Sequence, residues 1–144
     1  MFIPLRDKAW MAGFFDGEGC ITIRSTKKQP TPSSLLTVCN TKKESLKVFQ
    51  FYFGGKILYR DLLNRRKQNK KPEYRWNCPK REDVEFIKTI LPFLVIKRTQ
   101  ANLFLEFQKT RIRGSGNGNR LSKEELQIRK KIYGRMKILN KKGI

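Results

Sequence analysis

The sequence predicts an α+β fold: an αββαββα core with a curved antiparallel four-stranded sheet, helices on one face of that sheet, and additional C-terminal helices. Three observations predict it. Apolar and polar residues alternate in four short segments, as they do in strands with one buried face. Between and after these segments, apolar residues recur at the spacing of an α-helix. Helix and hairpin alternate twice in the same order, which places the helices together on one side of the sheet.

The order of the elements follows from where each pattern begins and ends. Asp7 and Ser122 are residue types that cap helices, and Glu125 completes a capping box with Ser122. Pro92 ends the helix before it. From the N-terminus, the predicted elements are helix 7–17, strands 20–27 and 35–40, helix 41–53, strands 56–62 and 73–78, and helices 81–91, 98–109 and 122–139.

Residues 41–53 fit two structures. Three phenylalanines alternate at 49, 51 and 53, as in a strand, whereas Leu46, Phe49 and Phe53 fit a helix. The capping-box pattern of Thr41 and Glu44, with two glycines at 54 and 55 as a stop, favours the helix. We therefore expect one domain over residues 1–144, with a core of about 7–110 and a basic helical extension of about 120–144.

The charge of the chain indicates a polyanionic partner. It has 33 Lys and Arg against 12 Asp and Glu, a net charge of +21. Nucleic acid is the leading partner, because phosphate contacts release counterions. An anionic membrane surface is a weaker alternative, since no helix shows a clean basic amphipathic face, and a merely solvated surface is the third. No apolar run reaches 18 residues, so no membrane span and no membrane partner are predicted.

Residue counts also exclude classes of chemistry. The sequence has no histidine, which excludes a Ser-His-Asp triad, a Cys-His pair and His-ligated zinc. Any hydrolysis would depend on carboxylates, Lys, Arg and a hard cation held by oxygen. Cys20, Cys39 and Cys78 are far apart and odd in number, which predicts three buried thiols rather than a disulfide framework or a zinc ribbon.

The segment WMAGFFDGEGC (10–20) is the most informative part of the chain. Ala9, Gly13 and Gly17 recur at every fourth position, so one stripe of the first helix would allow close approach of another helix. Asp16 and Glu18 lie at the C-terminal end of that helix, where the helix dipole disfavours carboxylates. This arrangement suggests a cation site, although a loop with two solvated acids is an equal alternative.

The same segment resembles a known family. MAGFFDGEG (11–19) is similar to the signature of the LAGLIDADG homing endonucleases. Residues 36–57 and 91–107 resemble that family's second strand, second helix and glycine turn, and its later Pro-aromatic-Leu, Lys and Gln-Ala segment. One copy of the motif implies a homodimer whose motif helices pack at a two-fold axis. The interface residues expected from this are Ala9, Ala12, Gly13 and Asp16.

The resemblance also implies an active site. By similarity, the Glu18 carboxylate and the Gly17 carbonyl would bind the catalytic Mg²⁺, or another divalent cation such as Mn²⁺. Lys97 matches a basic residue near the reactive water, and Asn40 matches a polar position beside the metal-bound waters. Asp16 matches an acid that is mostly structural. The alternatives are that Lys97 is an ordinary surface lysine and that Asn40 simply ends a strand.

The resemblance implies a double-stranded DNA partner, read by the polar face of the sheet at a long pseudo-palindromic target, and no small-molecule substrate. The activity implied is a staggered double-strand cut that promotes intron homing, in a prokaryotic cytoplasm or an organelle matrix. An intron RNA maturase and a non-catalytic basic binding protein are alternatives; Glu18 argues against the last. The residues expected to contact DNA are Thr22, Arg24, Thr26, Lys28, Thr37, Arg60, Arg65, Arg66, Lys70, Lys71, Arg75 and Asn77.

Overall fold

A computed structural model of the chain describes residues 1–28, 31–60, 72–110 and 122–141. Its elements confirm the predicted α+β class and the predicted order. Two connecting segments lie outside the described residues: 63–71, between the third and fourth strands, and 114–119, before the last helix. The elements are α1 (Leu5–Glu18), β1 (Gly19–Arg24), β2 (Ser33–Asn40), α2 (Lys43–Phe53), β3 (Lys56–Arg60), β4 (Glu73–Asn77), α3 (Asp83–Ile90), a 3-10 turn (Leu91–Phe93), α4 (Arg98–Lys109) and α5 (Lys123–Leu139).

The four strands form one sheet in the order β1-β2-β4-β3. β4 pairs antiparallel with both of its neighbours. Trp76 of β4 lies opposite Val38 of β2 on one side and opposite Ile57 of β3 on the other. Because side chains alternate along each strand, this register fixes which residues share a face. The chain divides into two compact units, Met1–Cys20 with Leu35–Lys97 and Ile21–Ser34 with Arg98–Ile144, so α4 groups with α5 rather than with the preceding helices.

The first unit is built around an aromatic core on one face of β2 and β4. Trp76 is fully buried, and its ring lies 5.2 Å from Phe49 of α2 and 5.3 Å from Phe86 of α3. Phe15 of α1 completes the cluster at 5.3 Å from Phe86. Three helices therefore cover this face of the sheet within the unit, and the face that carries Arg75 is the opposite one.

The connection from α2 to β3 requires glycine. Gly54 and Gly55 have φ of 72° and 87°, in the left-handed region that other residues rarely adopt. A Cβ on Gly55 would also lie 2.6 Å from the backbone oxygen of Asn77. The indole nitrogen of Trp76 donates to the Gly54 oxygen at 2.8 Å, so the turn is anchored to the core.

Two predicted helix caps are wrong. α1 begins after Pro4, with no side-chain cap, and Asp7 lies in its first turn, where the Tyr52 hydroxyl donates to its carboxylate. α2 begins after Lys42 without the predicted Thr41 capping box. The side chain of Asn40 accepts from the Lys42 N–H at 2.8 Å instead, because the strand ends close enough to supply an acceptor.

The second unit joins α4 and α5, which pack together. The capping box of Ser122 and Glu125 at the start of α5 is confirmed. Ile132 and Met136 are the buried apolar residues of α5, which otherwise faces solvent along most of its length. No helix in the described parts of the chain is long and apolar enough to span a membrane.

The prediction of three buried thiols holds for one cysteine. Cys78 is buried, Cys39 is half-buried and Cys20 is exposed, and all three are free thiols. Cys20 is exposed because it is the second residue of β1 and precedes Ile21 in the alternation, so its side chain points to the face opposite the buried Ile21 and Ile23. Burial raises the pKa of the Cys78 thiol far above its ordinary value, with a further rise from Asp83, so this thiol is unreactive.

Candidate active site and nucleic-acid interface

The two acids at the end of α1 have different surroundings. Asp16 is buried, with 8% of its surface exposed, whereas Glu18 is exposed. Residues two positions apart on an α-helix are separated by about 200° around the helix axis. One of the two acids therefore faces the core when the other faces solvent. Sequence analysis placed both acids in one candidate cation site, whereas the structure turns their side chains to different sides of α1.

Asp16 anchors the segment that precedes α4. Its carboxylate accepts backbone hydrogen bonds from Val95 at 2.8 Å, Ile96 at 3.2 Å and Lys97 at 2.9 Å. These three N–H groups precede α4, so they have no carbonyl of a preceding helical turn to donate to. Asp16 is thus directed into its own chain, and its carboxylate offers little to a dimer interface.

Lys97 lies against the last turn of α1. Its Nζ donates to the backbone oxygen of Asp16, in addition to the backbone bond to the Asp16 carboxylate. Its side chain is half-buried, unlike an ordinary surface lysine. The structure therefore brings Lys97 to the helix end that carries Glu18, two residues further on.

The carboxylate of Glu18 has no hydrogen bond or ion pair among the described residues, and the backbone of Gly17 beside it is exposed. The turn into β1 is close-packed, because a Cβ on Gly19 would overlap the ring of Phe15. Carboxylate and carbonyl oxygens are the ligands that Mg²⁺ prefers. The donors fit such a cation by type, but one copy offers few of them: no group of three His, Cys, Asp or Glu side chains gathers in the described ranges.

Asn40 makes a local contact. It ends β2, and its side-chain oxygen accepts from the Lys42 N–H at 2.8 Å. The residue pairs with Tyr74 on the helix-covered face of the sheet. Within the described residues its side chain shares no hydrogen bond with α1, so the structure favours a structural use of its oxygen.

An exposed stripe of small residues runs along α1, as the sequence predicted. Ala9, Gly13 and Gly17 are all exposed, and a Cβ on either glycine would meet no atom within 4 Å. Ala12 is different, because it is fully buried inside the chain. Its place at the dimer interface stays a prediction; within one copy it lies on the core-facing side of the helix.

The outer face of β2, β3 and β4 carries polar and basic side chains. Arg75 lies opposite Cys39 and Leu58, Asn77 lies opposite Thr37 and Lys56, and Arg60 lies opposite Glu73. The third strand is therefore in the register that places Arg60 with Arg75. Thr37 is only 3% exposed, so it is the least accessible of the predicted contacts on this face.

Two polar atoms on this face are buried and have no hydrogen-bond partner among the described residues: Nε of Arg75 and Oδ1 of Asn77. An unsatisfied buried polar atom costs about 1–3 kcal/mol. Arg60, in contrast, already donates to Glu73, with its Nη1 3.4 Å from Oε1. The sequence did not identify Glu73 as a partner; the strand register was the signal that could have found it.

In the second unit, the predicted contacts of β1 are accessible. Ile21 and Ile23 are buried, Thr22 is half-buried, and Arg24 is exposed. The strand ends at Arg24, three residues earlier than predicted, so the exposed Thr26 and Lys28 lie in the following turn. The predicted contacts Arg65, Arg66, Lys70 and Lys71 lie outside the described residues.

The described residues thus combine an α+β fold, a first helix with an exposed stripe of small residues and an exposed carboxylate at its end, and an antiparallel sheet whose outer face carries basic side chains. The LAGLIDADG endonuclease family matches residues 11–111, and the chain belongs to that family.

Solved structures share the fold. The homing endonuclease I-CvuI, in complex with its target in the presence of 2 mM Ca, is 24% identical, with 98% of this chain and 87% of that chain covered and a TM-score of 0.66. The archaeal intron-encoded homing endonuclease I-Vdi141I, complexed with DNA, is 16% identical, with 96% and 87% covered and a TM-score of 0.73. The LAGLIDADG homing endonuclease I-GzeII, in complex with a DNA target, is 23% identical, with 98% and 46% covered and a TM-score of 0.70. Comparison with curated protein sequences gives no significant match.

Proposed function

We propose that the chain is a site-specific DNA endonuclease that acts as a homodimer on a long pseudo-palindromic duplex. It would make a staggered, Mg²⁺-dependent double-strand cut and so promote homing of an intron. Family membership and the DNA complexes of similar folds support this. The observation that carries it is Glu18, an exposed carboxylate engaged by no described residue, at the end of the exposed stripe of α1.

The dimer is supported by glycines that have no use inside one copy. A glycine within a helix costs about 1 kcal/mol relative to alanine. The space around Gly13 and Gly17 is open, so no contact inside the described chain offsets that cost. A second copy of α1 packed against the stripe would use the missing side chains, and two-fold packing would bring two Glu18 carboxylates together.

Glu18 and the Gly17 carbonyl would hold the cation, with Mn²⁺ as an alternative to Mg²⁺. When bound, a divalent cation supplies electrostatic stabilisation of the charge that develops on the scissile phosphate. Two carboxylates at one axis would repel each other, and a cation there removes that repulsion.

Lys97 would act through its ammonium group. The group donates to the Asp16 backbone oxygen and has two further N–H bonds, which can be directed to a phosphate oxygen or to a water. Because Asp16 also holds the backbone of Lys97, the amine is positioned before DNA arrives. The sequence has no histidine, so no imidazole accepts the proton of the attacking water. Asn40 keeps its side-chain nitrogen for a water, since its oxygen is already bonded.

The sheet would read the duplex. Nε of Arg75 and Oδ1 of Asn77 have no hydrogen-bond partner in the described parts of the chain, and rearrangement of these side chains against base edges in the major groove would supply partners. Two copies of the chain carry 2 × 21 = +42 charges, which suits a long phosphate contact. The enzyme would act in the cytoplasm of a prokaryote, or in an organelle matrix if an organellar intron encodes it.

The test is cleavage of a plasmid that carries the uninterrupted insertion site of the host intron, with Mg²⁺ or with EDTA. Linear product with short cohesive ends in Mg²⁺ alone is expected. Uncut plasmid in both, together with accelerated splicing of the intron RNA, would favour the maturase alternative. Equal affinity for all DNA sequences without cleavage would favour a basic binding protein.

A further inference from the structure

The structure shows a buried arginine whose role the active site does not explain. We propose that Arg129 of α5 is a positioning residue: with Asn140, it braces the segment Ile21–Ser34 and so fixes the base preference of the side chains that β1 and its turn present. The proposal rests on the proposed function, because it assumes that Arg24, Thr26 and Lys28 contact DNA.

Arg129 is 9% exposed and bonded in several directions. Its Nη1 donates to the Pro32 oxygen at 2.9 Å, its Nε to the Thr110 hydroxyl at 2.8 Å and its Nη2 to the Thr110 oxygen at 3.2 Å. The guanidinium lies over the ring of Phe107, 4.6 Å from its centroid. One side chain thus joins α5, the end of α4 and the residue that leads into β2.

The choice of arginine is informative. Burying a charge is expensive, and an apolar residue of similar volume often gives equal or greater stability. What an apolar residue cannot supply is three directed N–H bonds, and lysine cannot supply them in a fixed plane either. The Thr110 hydroxyl is itself fixed, because it donates to the Phe107 oxygen at 2.6 Å. The geometry therefore fixes the Pro32 carbonyl relative to two helices.

The other end of the segment, at Ile21, is also held by α5. Asn140, which caps the C-terminal end of α5, donates through Nδ2 to the Ile21 oxygen at 2.8 Å. β1 is the edge strand of the sheet, where backbone groups would otherwise be open to solvent or to another strand. Gln108 of α4 adds a bond to the Ser34 hydroxyl at 2.6 Å.

These bonds hold the ends of the segment and leave its DNA-contact candidates exposed between them. Arg24, Thr26 and Lys28 are exposed, while Ile21 and Pro32 are tied to α5. Base readout depends on side chains held to within about half an ångström. A brace outside the duplex would therefore act on specificity without touching DNA.

The experiment compares Arg129→Met with Lys130→Met in the full chain. Lys130 is exposed on the same helix, so both variants lose one positive charge. Affinity is measured for the target duplex and for a non-specific duplex, and base preference is measured by binding-site selection. Arg24→Ala and Arg75→Ala mark the base pairs read by each strand.

We expect Arg129→Met to lower the ratio of target to non-specific affinity by about tenfold or more, at the base pairs that Arg24→Ala affects and not at those that Arg75→Ala affects. Arg129→Lys should not restore the ratio. Lys130→Met should weaken both affinities alike. An Arg129→Met protein with the base preferences of wild type would overturn the proposal.

If Arg129→Met does not fold, Asn140→Ala and Thr110→Val each remove one bond of the brace. Backbone hydrogen exchange should then increase in residues 21–28 and stay unchanged in β3. Unchanged exchange in residues 21–28 in both variants would overturn the brace. A wild-type protein that neither selects nor cuts DNA would overturn the proposed function instead, whatever the exchange result.

Discussion

Asp16 and Lys97 hold each other at two points. The backbone N–H of Lys97 donates to the Asp16 carboxylate at 2.9 Å, and the Lys97 ammonium donates to the Asp16 backbone oxygen. The pair joins residues 81 positions apart in the chain and fixes an amine at the end of α1. The acid that the motif contributes to the fold thereby positions the lysine proposed for catalysis.

Asp16→Asn should destabilise the protein. Asparagine keeps one oxygen for three N–H groups and removes the charge that strengthens those bonds, each of which contributes about 1.5–3 kcal/mol when the acceptor is charged. We expect a loss of about 2 kcal/mol in the free energy of unfolding, measured in urea. Asp7→Asn, at a less buried carboxyl on the same helix, is the control and should change stability less. Equal stability of the Asp16 variant and wild type would contradict the anchoring role.

Glu18→Gln should abolish cleavage and leave the fold intact. The carboxylate makes no hydrogen bond or ion pair with a described residue, so stability should change little, whereas the proposed cation loses a charged ligand. DNA affinity should be equal or higher, because one negative charge near the phosphates disappears. Single-turnover cleavage and gel-shift assays in Mg²⁺ measure the two effects. Glu124→Gln on α5 is the matched control, and cleavage by Glu18→Gln at the wild-type rate would exclude Glu18 as a metal ligand.

Elements with local signals could be predicted from the sequence. The Ser122–Glu125 box and the glycine stop at 54 and 55 each depend on a short pattern, and both are confirmed. The two wrong caps fail for different reasons. Asp7 accepts from the hydroxyl of Tyr52, which is distant in the chain, whereas a local contact replaces the Thr41 cap. Asn40 at the end of β2 reaches the start of α2, so the Thr41 hydroxyl is not needed there.

The site was harder to predict because the rotation of α1 about its own axis determines which of its residues are buried and which are exposed. The motif placed Asp16 and Glu18 two residues apart, and only the packing of α1 shows that one faces inward. The same rotation puts Ala12 in the core and Gly13 on the surface. Arg129 carries no sequence signal at all, since it is one of many basic residues in α5 and its partners lie at Pro32 and Thr110.

Gly13→Leu should block association without unfolding the chain. The position is open within one copy, and leucine is a better helix former than glycine by nearly 1 kcal/mol. Against a second helix, its side chain would prevent close approach. Analytical ultracentrifugation should show a monomer with an unchanged or higher melting temperature. Gly134→Leu is the control, because Gly134 is equally open on α5; a dimer with Leu at 13 would mean that the stripe is not the interface.

Tyr52→Phe should raise the pKa of Asp7. In the folded protein that pKa is lowered first by the hydrogen bond from Tyr52 and then by Arg6. A carboxyl with a lowered folded-state pKa stabilises the protein above its unfolded-state pKa, and the contribution is lost as pH falls through the folded-state value. Removal of the hydroxyl should therefore shift the Asp7 titration, followed by NMR, towards higher pH. Arg6→Gln should give a smaller shift in the same direction, and an unmoved titration in Tyr52→Phe would show that the bond does not persist in solution.

Arg75→Ala should change which base pairs the protein prefers. Arg75 lies at the centre of the outer face, between Cys39 and Leu58, and no described residue pairs with its Nε. A bidentate contact to guanine contributes about 1–3 kcal/mol of discrimination, so loss of the side chain should relax one or two positions of the target.

Lys70→Ala provides the comparison, since a phosphate contact carries no sequence information and its loss should weaken binding to every duplex and flatten the salt dependence. Arg60→Ala should have a smaller effect than Arg75→Ala, because Arg60 already pairs with Glu73 and must leave that partner to meet DNA. Binding-site selection on the three proteins separates these effects, and a uniform loss of affinity in Arg75→Ala without any change of base preference would mean that Arg75 contacts only the backbone of the duplex.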